Sequence, residues 1–437
     1  MRRGETRPRP IQAVIDMLTL PDLRRRILFT LGILVAFRFM AHVPLPGVDL
    51  EALQRLFEEN QLFGMLDLFS GGAMRNFSVV AMGVYPYITA SIIMQLLVPV
   101  VPALQSISQQ GEAGRGKINR ITHLATVPLA ALQGYGQLAL LRSQGIVGHF
   151  EPLTMAAIIV SMTAGTIFLV WLGEMITERG VGNGISIIIF GGIVASLPEM
   201  VGRGFLAKGN FLGLTAFIVL GLATLVFIVI FIEAHRRIPV QYARSTFRSG
   251  RMYRQSGSTH IPLRVNTAGM IPIIFAIALM QFPRIIASYF MNPSGNPNFW
   301  NSIYNLFDSG ASAPVGLVYW GLYFALVIGF TFFYTMIIFE QMNLAKTLQQ
   351  QGGFIPGVRP GKTTADYLNR TIKRLTVGGA LFLAMVAIMP FFAREITNVT
   401  VLTISSTAIL IAVGVALDTM KQLEAQLTMR RYEGFLR

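Results

Sequence analysis

The chain has 437 residues, 53% of them hydrophobic and only 13% charged, with a mean hydropathy of +0.57. A soluble chain carries about 25% charged residues, so a water-soluble globular protein is excluded and one polytopic helical bundle is the natural unit. There is no cysteine, which removes disulfides, thiolate metal sites and cysteine nucleophiles, and the net charge of +15 has meaning only through where the charges lie.

Met1–Arg26 is basic and polar. No short apolar run with a small-residue cleavage site precedes the first span, so the first helix is expected to be its own insertion signal. Ten spans are predicted: Ile27–Pro44, Phe77–Val98, Ile121–Leu141, Leu153–Gly173, Gly184–Leu197, Phe211–Ile232, Ala268–Pro283, Val315–Phe339, Leu375–Phe392 and Thr400–Leu417. A span needs about 20 apolar residues. Gly184–Leu197 and Ala268–Pro283 fall short, the latter contains Pro272, and Pro86 interrupts the second span just after Tyr85. Between the first two spans, Leu62–Ser70 carries Leu62, Met65, Leu66 and Phe69 on one helical face and is ended by Gly71 and Gly72. A half-helix followed by a broken span reads as part of a pore or transport path, because irregular backbone at membrane depth is tolerated only where protein buries it or a water-filled cavity meets it. Asn292–Pro314 is rich in Asn, Ser, Gly and Pro and reads as turns.

Sorting Lys and Arg by loop puts 28 of the 36 on one side, including the N-terminal tail, Arg236–Arg264, Lys346–Arg374 and the C-terminal tail. The positive-inside rule therefore predicts cytoplasmic termini and two long basic cytoplasmic loops. Five spans in each half give the halves opposite orientation, the geometry of an inverted repeat with a path between the halves. The expected organisation is a tail over 1–26, an N-terminal half over 27–197, a C-terminal half over 211–417 with cytoplasmic loops 233–267 and 340–374, and a tail over 418–437.

Span middles carry no Asp, Glu, Lys or Arg. Glu174, Glu233, Glu340 and Asp418 fall at predicted cytoplasmic helix ends, Arg38 lies toward the outer end of the first span, and Arg284 ends the seventh. Ion-coupled transporters keep ionisable groups inside the bundle, which argues against a secondary transporter. An intramembrane hydrolase is disfavoured by the absence of H-E-x-x-H and G-x-S-x-G. Gly357-Val-Arg-Pro-Gly361-Lys362-Thr363 has three residues between its glycines where a phosphate loop needs four, and reads as a basic turn. No catalytic residue, metal ligand or cofactor is expected.

Two features remain. Arg236, Arg237, Arg244, Arg248, Arg251 and Arg254, interleaved with Tyr242, Phe247 and Tyr253, and Arg359 and Lys362 on a Gly/Pro frame exceed what a turn requires. Topological bias explains most loop cations, and docking of RNA, an acidic protein or anionic lipid is the functional alternative. Val84, Ile88, Ile189, Ile193, Ile274 and Ile411, in or near the irregular spans, could close a pore by dewetting, although spacing alone clearly favours their facing lipid or neighbouring helices, as aliphatics in a span usually do.

Several stretches are recognisable in order. They are Pro44-Leu-Pro-Gly-Val48, Met82-Gly-Val-Tyr-Pro-Tyr-Ile-Thr-Ala-Ser-Ile92, Glu178-Arg-Gly-Val-Gly-Asn-Gly-Ile-Ser-Ile187, Arg237-Ile-Pro-Val-Gln-Tyr-Ala243, His260-Ile-Pro-Leu-Arg-Val-Asn-Thr-Ala-Gly-Met-Ile-Pro272 and Gly353-Phe-Ile-Pro-Gly-Val-Arg-Pro-Gly361. With them the chain resembles the SecY/Sec61-alpha family of protein-conducting channels over nearly its whole length.

The resemblance implies an all-α fold of ten helices in two pseudo-symmetric halves around an hourglass pore. It implies that Val84, Ile88, Ile189, Ile193, Ile274 and Ile411 form the apolar ring, with Val84 one methylene smaller than the family's usual isoleucine. Leu62–Asn76 corresponds to the plug, with Leu62, Phe63, Met65, Leu66 and Phe69 as its apolar residues. Gln95 is a candidate for the polar patch of the lateral gate, and a hydrogen bond to a neighbouring helix is its bland alternative. The two basic loops correspond to the docking surface shared by the ribosome and the SecA motor, with Arg359 on the family's functionally important arginine. The expected partners are SecE-like and SecG-like subunits, SecA, the ribosome, secretory and membrane protein precursors and the lipid bilayer, in the cell inner membrane.

Overall fold

A computed structural model of the chain describes residues 20–46, 48, 52–53, 70–108, 110–143, 151–206, 211–248, 251–290, 298–308, 315–342, 344–397 and 406–433. The helices are α1 (Pro21–Met40), α2 (Tyr85–Leu97), α3 (Pro102–Ser108), α4 (Glu112–Ser143), α5 (Pro152–Arg179), α6 (Gly184–Leu206), α7 (Phe211–Glu233), α8 (Ile271–Phe290), α9 (Phe299–Leu306), α10 (Val315–Met342), α11 (Leu344–Gln350), α12 (Lys362–Thr397) and α13 (Ser406–Glu433). The strands are β1 (His235–Arg248), β2 (Arg251–Arg264) and β3 (Gly353–Phe354). Each predicted span falls on one of these helices. By length and composition alone, three helices among the described residues can cross a membrane, or four if the bent pair α2–α3 is one span; α6, α7 and α8 carry shorter apolar stretches.

The local chemistry explains where the helices begin. Pro21 and Pro152 sit in the first turns of α1 and α5, where a missing N–H costs nothing. Pro86 does the same in α2. The expectation that Pro86 interrupts the second span is therefore corrected: it starts the helix, and residues 77–84 before it are turns. The break comes later, where α2 and α3 are bent by 101°. α12 begins well before the predicted ninth span, because its first turns serve the basic loops rather than the bilayer.

Two compact units result, one comprising Met1–Leu206, Arg284–Gly310 and Val415–Arg437, the other Ala207–Pro283 and Ala311–Gly414. In the first, α4 packs on α2 and α5, α5 on α6, and α1 on α5 and α6. Its core gathers Phe77, Leu138, Leu141, Ile158 and Met162. The turn from α5 to α6 is tied to α1 by the Val181 N–H, which donates to Thr30 Oγ1 at 3.2 Å. Leu23, Val181 and the distal Leu423 of α13 form a further small cluster.

In the second unit α12 packs against α7 and α10. Phe231 stacks on Phe382 at 4.3 Å. Arg236–Arg264 is not a loop of turns but a long antiparallel hairpin, with His235 opposite Arg264 and Arg248 opposite Arg251. β3 adds to its other edge, Gln241 opposite Phe354 and Tyr242 opposite Gly353. Every other element of the described chain is a helix, so the sheet is a small addition to a helical fold. Alternation explains the sheet: Ile238 and Val240 turn to one face and are buried with Leu263, Leu348, Ile355, Leu368 and Ile372, while Arg237 and Pro239 turn to the other and are exposed, as is Arg236 near the start of the strand. The chain leaving β2 crosses α12 closely, and a Cβ on Gly379 would strike the Val265 carbonyl.

Because Ile238 is 1% exposed, Ile238→Ala is expected to weaken this core by about 2–5 kcal/mol. Limited proteolysis of membranes should then cut the hairpin at least tenfold faster while α1–α6 keep their wild-type pattern. Unchanged hairpin cleavage would contradict the packing.

Candidate functional site

The first candidate region is the return of the chain from the loop after α1. Residues 54–69, which hold Leu62, Phe63, Met65, Leu66 and Phe69, lie outside the described residues. What is described is their root, from Ser70 onward. The root is fastened on every side. Leu45 N–H donates to Phe77 O at 2.8 Å, Val79 N–H to Val43 O at 3.1 Å and Ser78 N–H to Ala73 O at 3.0 Å. Ser70 Oγ accepts from Met74 N–H at 3.0 Å. Arg38, near the end of α1, donates to the Gly71 carbonyl at 2.6 Å, and Asn76 reaches Ala41 O at 3.3 Å. Phe77 has φ of 43°, rare for a bulky residue, and is fully buried in the core that holds it there.

Gly71 is the tightest point. Its φ is +66°, and a Cβ would lie 2.7 Å from the Gly192 Cα and 2.8 Å from the Phe37 ring. Conversely, a Cβ on Gly192 would lie 2.5 Å from the Gly71 Cα. Two backbones touch because neither residue has a side chain. Gly192 is three residues from Ile189 and next to Ile193, so the root presses on the stretch of α6 that carries two of the predicted ring residues.

Of those ring residues, Val84 caps the start of α2 and is fully buried, and Ile88 lies one turn on, half-buried. Ile189 and Ile193 are buried on α6. These four belong to the first unit. Ile274, near the start of α8, and Ile411, on α13, are also buried and belong to the second. Gln95 donates to Ser91 Oγ at 3.1 Å, one turn back on its own helix, rather than to a neighbouring helix.

Sequence reasoning missed a polar junction of three helices. Tyr87 on α2 donates to Asn119 Oδ1 on α4 at 3.4 Å, and Asn119 donates to Glu174 Oε1 on α5 at 3.2 Å. His123 Nε2 lies 3.1 Å from the same oxygen, an ion-pair approach without an aligned hydrogen bond. The Tyr87 ring meets His123 edge-on at 5.5 Å. Glu174 was legible only as an interfacial acid, because its partners are far away in sequence.

The second candidate region is the basic sheet. Pairing β3 to β1 joins the two basic loops in one unit, so Arg236 and Arg237 on β1, Arg359 just beyond β3 and Lys362 at the start of α12 share one folded element, and all four are exposed. Arg244 pairs with Gln255, Arg254 with Ser245 and Arg248 with Arg251 by backbone register. Thr364 Oγ1 donates to Arg359 O at 2.9 Å, fixing the turn into α12. Among the described residues no group of His, Asp and Glu could hold a metal ion.

A family model described as SecY matches residues 78–420. The chain is 42% identical to the protein translocase subunit SecY of Thermus thermophilus, over 98% of both chains. The chain belongs to the SecY family. Solved structures share the fold: one described as a protein-conducting channel superposes with a TM-score of 0.67 at 19% identity, covering 92% of both chains. Sec61 in a canine ribosome–channel complex superposes with a TM-score of 0.64, also at 19% identity and 92% of both chains. The protein is thus a multi-pass membrane protein with the SecY/Sec61 fold.

The Gly71–Gly192 contact makes a sharp prediction. Gly192→Ala must push the root off α6 and is expected to raise resting ion conductance in planar bilayers severalfold. Gly191→Ala is the control, since a Cβ there meets only the flexible end of Leu34. Equal conductance in the two variants would remove the seal from this site.

Proposed function

We propose that the chain is the pore-forming subunit of a protein-conducting channel, passing unfolded polypeptides across the membrane and releasing apolar segments sideways into lipid. One observation carries this reading: the near-complete match, at 42% identity, to a protein named as a translocase subunit. The physical arguments agree with it. A path for any sequence should bind none strongly, and span middles without charge meet that need. Val84, Ile88, Ile189, Ile193, Ile274 and Ile411 form the apolar constriction on this reading. Leu62–Asn76 seats against it at rest, with its root held by Arg38 and Gly192. Gln95 belongs to the side opening between the two halves. In lipid, leucine or isoleucine inserts favourably while a charge at mid-helix costs about 2.5–3.5 kcal/mol, so the side opening sorts segments by partitioning. The channel is no enzyme, and its driving energy comes from outside the chain.

The basic sheet is the docking surface. Ribosome binding is supported by the ribosome-bound canine neighbour and by the exposed cations, since phosphate contacts supply most non-specific affinity for RNA. We assign the SecA motor to the same surface, through Arg236, Arg237, Arg359 and Lys362 together with Arg244, Arg248, Arg251 and Arg254. SecE-like and SecG-like subunits complete the assembly in the cell inner membrane, with both termini cytoplasmic.

The absence of cysteine gives a clean test. A single Cys is placed at Ile88 or, separately, at Val219, which is 61% exposed on α7, and a secretory precursor with one Cys is stalled in the membrane. Crosslinking from Ile88 and not from Val219 is expected. Crosslinking from neither, with export intact, would move the path elsewhere, and coupled uptake of a small solute into liposomes would favour a transporter. Arg359→Glu is expected to slow export at least tenfold in chains that insert and fold normally; wild-type export would count against docking there.

A further inference from the structure

The end of α8 remote from the basic sheet carries a feature that the channel reading does not use. A helix of 20 residues places Phe290 about 30 Å from the start of α8. There α9 is folded back onto it. Asn298 caps α9, its Oδ1 accepting from Asn301 N–H at 3.1 Å, while its Nδ2 donates to Phe290 O at 2.9 Å. Trp300 stacks on Phe290 at 5.1 Å, tilted by 33°. Arg284, 3% exposed, pairs with Asp308 at 3.1 Å, donates to the Tyr304 hydroxyl at 3.3 Å and covers the Tyr304 ring at 4.7 Å.

α9 is sharply two-sided. At 100° per residue, Phe299, Ile303 and Leu306 fall within one narrow stripe flanked by Trp300 and Ser302, and Asn301 and Asn305 fall opposite. It contains no charged residue. Phe299 is 73% exposed and Leu306 38%. Along one side of α8, Leu279, Phe282 and Phe290 are likewise 47%, 61% and 56% exposed. Phe290 belongs to both surfaces through its stack with Trp300. A short uncharged helix with phenylalanine and tryptophan on one side fits the boundary between headgroups and acyl chains, where aromatic side chains concentrate.

We propose that α9 lies in a headgroup boundary of the bilayer at the Phe290 end of α8, with Phe299, Trp300 and Leu306 against lipid, and that the Arg284–Asp308 pair makes α8 follow the position of that boundary. The occupant of the exposed stripe is the bilayer itself. The coupling is mechanical: Arg284 is buried, so α9 cannot change depth without breaking its pair or moving the last turns of α8.

The chain has three tryptophans, so subtracting the spectrum of Trp300→Phe from that of the otherwise wild-type chain isolates Trp300. The full chain, with its partner subunits, is reconstituted in phosphatidylcholine vesicles brominated either near the headgroup or near the acyl terminus. Quenching of Trp300 at least twofold stronger by the shallow bromines, with little quenching by aqueous iodide, is expected. Strong iodide quenching without lipid quenching puts α9 in water and overturns the proposal. Quenching by neither means that protein covers the stripe, and stronger quenching by the deep bromines means burial in hydrocarbon; both overturn it. For the coupling, a spin label on a Cys introduced at Phe282 should change mobility between short-chain and long-chain lipid, and Asp308→Asn should abolish that response. A response equal in the two chains would remove the pair from the mechanism. None of these readouts depends on export, so a failure here is separable from a failure of the channel reading.

Discussion

Backbone that leaves the helix inside a membrane must find its hydrogen-bond partners within the protein, since hydrocarbon offers none. Residues 70–84 meet that constraint, and much of the first unit is arranged around them. Arg38 on α1, the paired backbone of Val43 and Leu45, and the close approach of Gly192 on α6 each hold one part of the segment. The strain of Phe77 is held by burial among Leu138, Leu141, Ile158 and Met162. A long apolar helix would need none of this.

The legible parts of this protein are those set by local composition. Ten apolar stretches predicted ten helices, because a helix that faces lipid must be apolar along its length. The basic hairpin was not legible as strands. Its arginines dominate the composition, and the alternation of Ile238, Val240 and Tyr242 is only three residues deep. Pro86 was read as an interruption because sequence alone does not say where a helix begins, and at the first turn proline is an asset. The partners of Glu174 and of Gly71 were invisible for a different reason: each contact joins residues far apart in the chain. Arg38 was the exception that carried a signal, a cation inside an otherwise apolar span, which has to be answered by some acceptor.

The two candidate regions use opposite chemistry. Val84, Ile189 and Ile193 are buried aliphatic side chains that offer no hydrogen bond or charge. Arg236, Arg237, Arg359 and Lys362 are exposed cations, whose pull on any anion falls as salt rises. Folding the two basic loops into one sheet matters here. Arg359 and Arg237 come from segments more than a hundred residues apart, yet β3 on β1 gives them a common rigid base, so a partner that grips one is held in register with the other.

α12 turns that grip into geometry. From Lys362 to Thr397 it is one helix, with Pro390 inside its second half. Near its middle it crosses the chain leaving β2, where a Cβ on Gly379 would strike the Val265 carbonyl. Along the helix axis Lys362 lies about 26 Å from that crossing, and Met389 about 15 Å beyond it on the other side. Such a beam is a lever with a fulcrum. A displacement of the Lys362 end one way moves Met389, packed between α7 and α10, the other way by a little over half as much. The exposed cations at its start and the apolar helices along its second half are then parts of one solid object, with no joint between them that has to fold or melt.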